Sequence, residues 1–176
     1  MSSDSQTPFP AAPLRAIIAL GSNLGDSPCL IRDAMTRLEA LSDQPLLRSS
    51  LWQTTPVDCP PGSPLFVNAV VSLKPRAGET PETLLARLQA LEMDFGRRPK
   101  QLHNEPRPLD LDLIAFGSET RSTPQLTLPH PRAHLRRFVL EPLAEIAPDL
   151  VLEGQTQTVR ALLESLPVDK TLRRIG

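Results

Sequence analysis

Tyrosine is absent from the 176 residues, and five Phe and one Trp are the only aromatics. A chain so poor in rings offers little for stacking nucleic-acid bases. Neither sign of charge dominates: 19 basic and 20 acidic residues leave a formal charge of -1. No overall positive field therefore exists to hold nucleic acid or an anionic membrane, and any anion-binding surface must be local. The two cysteines, Cys29 and Cys59, have no metal-ligand spacing and build no disulfide framework, so they read as thiols of a reducing compartment. Long apolar runs are missing as well. The longest, Ala16 to Leu20, is far too short to span a bilayer, and the first residues carry Asp4 but no basic cluster of a signal peptide. The expected location is the cytoplasm, without a membrane partner. Two phosphate-binding devices are also lacking: no Gly-x4-Gly-Lys-Ser/Thr loop and no dinucleotide fingerprint occur. If a nucleotide binds, side chains and metal must hold its phosphates.

Proline, by contrast, is abundant at 20 residues, about twice the usual share, which predicts long, stiffened loops. The length fits one domain, expected over residues 14–176, and the Ser- and Pro-rich stretch Met1 to Pro13 is expected to be a disordered tail. Ala16 to Leu20, ended by Gly21, reads as a buried strand. Ser27 is placed to cap a helix starting at Pro28, with Ile31, Ala34, Leu38 and Leu41 along one face. Leu46 to Trp52 reads as a second strand. Phe66 to Lys74 reads as a third, with Val67, Ala69, Val71 and Leu73 on one side. Thr80 caps a second helix with Pro81 in its first turn, Leu84, Leu88 and Leu91 on its inner side and Gly96 at its end. Leu109 to Phe116 is the fourth strand, Phe138 to Ile146 a helix despite Pro142, and Thr158 caps a last short helix to Leu166. This order predicts an α+β fold: a ferredoxin-like βαββαβ core with a mainly antiparallel sheet and extra C-terminal helices. The fold by itself decides no chemistry.

Chemistry enters at Leu109-Asp110-Leu111-Asp112-Leu113. Strand alternation sets both carboxylates on one face and the leucines on the other. Acids about 7 Å apart, twice the rise per strand residue, repel unless water or cations intervene. Magnesium takes oxygen ligands of this type and implies a phosphate substrate; the other reading is a solvated strand face. Arg97, Arg98, Lys100 and Arg107 gather just before these acids. Arginine forks bind phosphate oxygens and neutralise charge in a transfer reaction; the other reading is a solvated basic loop.

Gly21 to Leu24, Thr54 and Pro56, Phe66 and Asn68, Glu92 with Gly96 and Arg97, Pro106 to Asp112 followed by Phe116 and Gly117, and Leu128 to His130 occur in an order that resembles the hydroxymethyl-dihydropterin pyrophosphokinases. The resemblance spans roughly Arg15 to Pro148. It implies transfer of pyrophosphate from ATP to the hydroxymethyl oxygen of 6-hydroxymethyl-7,8-dihydropterin in folate biosynthesis, with release of AMP and two Mg2+ ions. By resemblance, Asp110 and Asp112 are the metal ligands, and Arg97 and Arg107 join them as catalytic residues. ATP falls to Gln89, Glu92, Arg97, Asp112, Leu113, Thr127, His130 and Arg136. The pterin falls to Thr54, Pro56, Val57, Phe66, Asn68 and Phe138. The expected partners are these two small molecules, with no nucleic acid, and the expected state is a monomer. The chain departs from the family pattern at Pro99, where a basic residue is usual, and at His103 to Glu105, where Arg, Trp and Gly are usual. Phe66 stands for a common Tyr, and Pro131 for a frequent aromatic. Two alternatives stay open: a catalytically weakened paralogue that still binds pterin or nucleotide, and a ferredoxin-like RNA-binding module. The loops from Thr54 to Pro64 and Arg97 to Pro106 flank the proposed site and are expected to close over it.

Overall fold

The computed structural model describes residues 14–55, 62, 64–97 and 106–176. The expected tail, Pro56 and Val57, Cys59, the departures at Pro99 and His103 to Glu105, Arg98, Lys100 and most of both loops lie outside the described residues.

The chain runs β1 (Ala16–Ser22), α1 (Ser27–Glu39), β2 (Leu47–Arg48), β3 (Trp52–Thr54), β4 (Phe66–Leu73), α2 (Pro81–Asp94), β5 (Asp110–Phe116), β6 (Arg121–Ser122), β7 (Thr127–Leu128), a 3-10 turn (Ala133–Leu135), α3 (Arg137–Ile146), α4 (Val159–Ser165) and β8 (Arg173–Arg174). The main sheet has the order β5-β1-β4-β3-β8, with β2 also on β4, and every pairing is antiparallel. This is the ferredoxin-like arrangement, with β1 inserted between β4 and β5, and α3 and α4 added after the core.

Alternation along the strands divides the apolar residues between two layers. Ile18 and Leu20 of β1, Val67 to Leu73 at odd positions of β4, and Leu111 and Leu113 of β5 pack against Ile31, Ala34 and Leu38 of α1 and Leu84, Leu88 and Leu91 of α2. The opposite face carries Ile17, Val70 and Ile114, covered by Val139, Leu140 and Leu143 of α3 and by Val159 and Leu162 of α4. Helices thus cover both sides of the sheet. None of the helices among the described residues is long and apolar enough to cross a membrane.

Three local features differ from expectation. Asp26, not Ser27, caps α1, its side chain accepting from the Cys29 amide at 3.3 Å, while Ser27 is buried as the first helical residue. The second strand is broken into β2 and β3. The cause lies at Ser49, whose hydroxyl accepts from the Val70 amide at 2.9 Å where a carbonyl would otherwise continue the ladder. Beyond the break, Glu145 of α3 accepts from the Ser50 hydroxyl at 2.8 Å and the Trp52 indole at 2.6 Å, tying α3 to the start of β3. Lastly, the C-terminal residues, for which no element was expected, form β8 on the free edge of β3.

The Thr80 cap is present in full, as a reciprocal box with Thr83, and Gly96 follows α2 with φ +94°, a conformation that suits glycine. Leu88 is fully buried between α2 and the sheet. Leu88→Ala should lower stability by about 2–5 kcal/mol in denaturant unfolding, the cost of lost burial plus a cavity.

Candidate active site

Between β1 and its neighbours, one row of residues crosses the sheet on the α3 side. Gly21 of β1 is opposite Asn68 of β4 on one flank and Asp110 of β5 on the other. Asn68 in turn is opposite Trp52 of β3. One step along, Ala19 is opposite Asp112. The glycine and alanine leave room between larger polar neighbours, and α3 stops short of covering them. The result is a cleft of about 600 Å³ whose lining includes Thr54, Phe66, Asn68, Arg107, Asp110, Asp112, Arg136 and Phe138.

The alternation expected in β5 is observed, with Leu109, Leu111 and Leu113 in the core and both aspartates half-buried toward the cleft. Farther along, a bulge shifts the register: Ile18 faces Leu113, but Ile17 faces Ala115, so Ile114 is the extra residue. Its carbonyl accepts from the His130 amide at 2.8 Å, which secures the segment after β7 beside the strand.

Charges around the acids form a network. Arg97 Nη1 donates to Asp110 Oδ1 at 2.8 Å and also to Glu92 Oε2. Arg107 Nη1 is 3.5 Å from Asp110 Oδ2. The same Glu92 oxygen accepts from the Leu111 amide at 2.9 Å, linking the end of α2 to β5. Burial pushes the Glu92 carboxyl above the usual carboxylate range, with a contribution from Asp110, against the opposing pull of the Leu111 amide and Arg97. Asp112 is pushed up to about 7, by burial first and then by Asp110 and Glu92, with Arg136 and Arg107 only partly offsetting them. Burial is thus what chiefly sets Asp112 apart, and Arg97, Arg107 and Arg136 stand around the three acids without restoring its ordinary value.

Two polar atoms in this region, Asn68 Nδ2 and Arg107 Nε, are buried without a hydrogen-bond partner among the described residues. Leaving such donors unmet is costly, which suits groups that await a ligand. Arg136 lies over the Phe138 ring, 5.4 Å from its centroid, at the start of α3. His130 is held below its ordinary value by burial and by Arg136 and Arg132. Its Nδ1 accepts from the Arg132 amide at 3.2 Å, which leaves the proton of the neutral ring on Nε2.

The remaining sequence candidates are dispersed. Gln89 and Thr127 are exposed and outside the cleft lining, and the Leu113 side chain is in the core on the far side of the sheet. Among the described residues, no group of three or more His, Cys, Asp or Glu gathers as a metal cluster; Asp110 and Asp112 form a pair. Several participants carried no assigned role in the sequence reading. Arg132, Leu135, Arg137 and Asp169 also line the cleft. Asn23, 1% exposed, clamps the backbone of Arg107: its side-chain Oδ1 accepts from the Arg107 amide at 3.0 Å, and its backbone N–H donates to the Arg107 carbonyl at 3.1 Å. The Gly-Ser-Asn run signalled a turn, yet nothing in it announced a partner 84 residues away.

The Asp112 shift has a definite sign. A folded value near 7, above an unfolded value of about 3.9, means that the fold holds the proton more tightly, so stability falls as pH rises between them. Asp112→Asn should therefore raise the melting temperature at pH 8 in the presence of EDTA by several degrees, on the order of 2 kcal/mol, with the gain shrinking toward pH 4. Thermal melts across that range measure it; a variant less stable than the parent at pH 8 would contradict the upward shift of Asp112.

Comparison with known proteins agrees with this geometry. The sequence pattern of the 7,8-dihydro-6-hydroxymethylpterin-pyrophosphokinase (HPPK) family matches residues 17–148. The chain is 37% identical to the 2-amino-4-hydroxy-6-hydroxymethyldihydropteridine pyrophosphokinase of Synechocystis sp., over 92% of this chain and 81% of that protein. It is 35% identical to the Haemophilus influenzae protein of the same name, over 91% of this chain and 98% of that one. Among solved structures, a Plasmodium falciparum HPPK-DHPS with pterin and p-hydroxybenzoate superimposes with a TM-score of 0.65 at 14% identity, covering 92% of this chain and 46% of that one. The chain thus spans about half of that longer protein, and the likeness bears on the fold alone. On the sequence matches, the chain belongs to the 7,8-dihydro-6-hydroxymethylpterin-pyrophosphokinase family.

Proposed function

We propose that the chain transfers pyrophosphate from ATP to the hydroxymethyl oxygen of 6-hydroxymethyl-7,8-dihydropterin, releasing AMP, as a step of folate biosynthesis. The observation that carries this reading is the row Asn68, Gly21, Asp110, which sets an open amide-and-ring slot beside an acidic pair within one cleft. Helices packed on both sheet faces, with acids on the floor of the cleft that stays open, argue against the RNA-binding alternative.

The acidic pair fits Mg2+. Its two carboxylates stand on one face of a strand and open onto the cleft, and magnesium binds through one or two carboxylates completed by phosphate oxygens and water, so a pair suffices. Asp110 and Asp112 would hold the metal, two ions by family resemblance. Held there, the metal would supply positive charge against the phosphates and the reacting hydroxyl.

The other residues position and neutralise. Arg97 and Arg107, now paired with Asp110, supply positive charge for the phosphates of ATP. Arg136 brings another positive charge close to Asp112. His130 offers its Nε2 proton to a phosphate oxygen, and Glu92 sets the direction of the Arg97 fork. Gln89, Leu113 and Thr127 belong to the nucleotide side by family position, Leu113 through its backbone. On the pterin side, Phe66 and Phe138 provide apolar ring contacts, Asn68 Nδ2 meets a ring acceptor, and Thr54, with Pro56 and Val57 beyond it, reaches the ring edge. No side chain needs to act as a nucleophile: catalysis rests on alignment of the hydroxyl with the β-phosphorus and on charge neutralisation. The same reading makes the protein a cytoplasmic monomer acting on two small molecules.

The test is product analysis with ATP, Mg2+ and 6-hydroxymethyl-7,8-dihydropterin. AMP and pterin diphosphate should form in equimolar amounts, and Asp110→Ala or Asp112→Ala should each lower the rate by about 10³-fold or more, with folding intact by circular dichroism. Nucleotide binding without AMP formation by the native chain would favour a weakened paralogue.

A further inference from the structure

The family pattern ends at residue 148, yet the chain continues into a segment that returns to the cleft. After α4, the backbone turns at Asp169, whose Oδ1 accepts from the Thr171 amide at 2.8 Å and the Thr171 hydroxyl at 2.7 Å. Both of these bonds fall on Oδ1, which leaves acceptor capacity on Oδ2 among the described residues, beside the Thr54 side chain. The chain then runs as β8 along β3, and the ladder continues past it: the Ile175 amide donates to the Leu51 carbonyl at 2.8 Å, and the Leu51 amide to the Gly176 carbonyl at 2.7 Å. Thr171 and Thr55 hydroxyls meet at 3.2 Å. This pairing fixes the segment against the last residues of β3, and Asp169 joins Thr54 and Thr55 in the cleft lining.

The position of Asp169 along the cleft gives it a role. Asp110 and Asp112 are on β5, whereas Thr54 is on β3, three strands away in the order β5-β1-β4-β3. At the usual strand spacing, that is about 14 Å. Transfer requires the 6-hydroxymethyl group of the pterin at the β5 end. The other end of the bicycle, with its 2-amino group and ring N–H, must then point toward β3. A pyrimidine edge presenting two adjacent donors is met best by a carboxylate.

Building on the pyrophosphokinase reading, we propose that Asp169 is a specificity-determining residue, its carboxylate accepting from the 2-amino edge of the pterin and orienting the Thr54 hydroxyl beside it. The C-terminal strand is then the wall that presents it.

The test compares 6-hydroxymethyl-7,8-dihydropterin with its 2-oxo analogue, in which the amino group is replaced, by calorimetric titration and by steady-state kinetics. The native chain should bind the 2-amino compound at least about tenfold more tightly. Asp169→Asn should erase most of that preference and raise KM for the pterin by about tenfold, with KM for ATP and kcat little changed. Asp169→Ser keeps an acceptor for the turn while removing the charge, and serves if the Asn variant is unstable. Thr171→Val removes the hydroxyl that donates to Asp169 Oδ1 but keeps the carboxylate and its backbone bond, and should leave the preference largely intact. If the Asp169 variants lose thermal stability as Thr171→Val does but keep the native preference, Asp169 merely closes a turn and the proposal is overturned. A native chain that forms no AMP and binds no pterin would overturn the functional reading and this inference together, whereas normal turnover with an unchanged preference overturns only the inference.

Discussion

The register of β1 between β4 and β5 is the constraint on which the cleft depends. It sets a glycine between an amide and a carboxylate on one face, while the alternate positions Leu20, Ala69 and Leu111 are in the core on the other. Side-chain period and burial reinforce each other here. A slip of one residue would drive Asp110 and Asp112 into the apolar layer beneath α1 and α2 and expose the leucines to the cleft. The leucines thus act at a distance on function: their burial holds the acids in place. A side chain at Gly21 would meet Asn68 Oδ1 at 3.5 Å, an ordinary contact, so the glycine is not demanded by packing within the protein. Its consequence is the open floor between the two polar groups.

The charged network above that floor is arranged for ligands more than for stability. Glu92 is 7% exposed, and its desolvation is offset by two donors, Arg97 and the Leu111 amide, the latter part of the strand itself. Buried ion pairs of this kind contribute little net stability, because removing the ions from water offsets their attraction. Asp112 has no such close donor among the described residues, and burial, with Asp110 and Glu92 beside it, holds its carboxyl well above the usual range. A fold selected for stability alone would place an amide or an apolar residue there. The paired carboxylates instead offer oxygen ligands to a cation, and the arginines, already close, are available to the phosphates that accompany it.

What could be read from the sequence was the part governed by periodicity. α2 announced itself through Thr80, Pro81 and the leucine spacing, and β5 through alternation, so the face of the aspartates followed without coordinates. The features missed depend on backbone groups meeting at long range. The Ile114 bulge, the Ser49 hydroxyl in the ladder and the Asn23 clamp on Arg107 each satisfy an amide or carbonyl whose need arises only once the strands are paired. Residue type gives no warning of these. β8 was missed for a related reason: Arg173 and Arg174 carry no strand pattern, and both are exposed, so their pairing is a matter of backbone hydrogen bonds to β3.

That late strand resolves a difficulty which the broken second strand creates. β3 is three residues long and would be the edge of the sheet, with open amides and carbonyls beside the proposed pterin slot. Such an edge invites pairing with other chains and tends to fray. Glu145 holds its start through Trp52 and Ser50, and β8 occupies its outer side. One tie reaches the segment from a helix and the other runs along its edge, so Thr54 emerges from a fixed base even though the loop it enters is rich in proline. The cleft consequently has unlike ends. Acids and arginines are gathered on β5 and its approaches, where charge must be moved, while the β3 end is built from hydroxyls and a carboxylate on paired backbone, an arrangement suited to reading the shape and donors of a neutral ring.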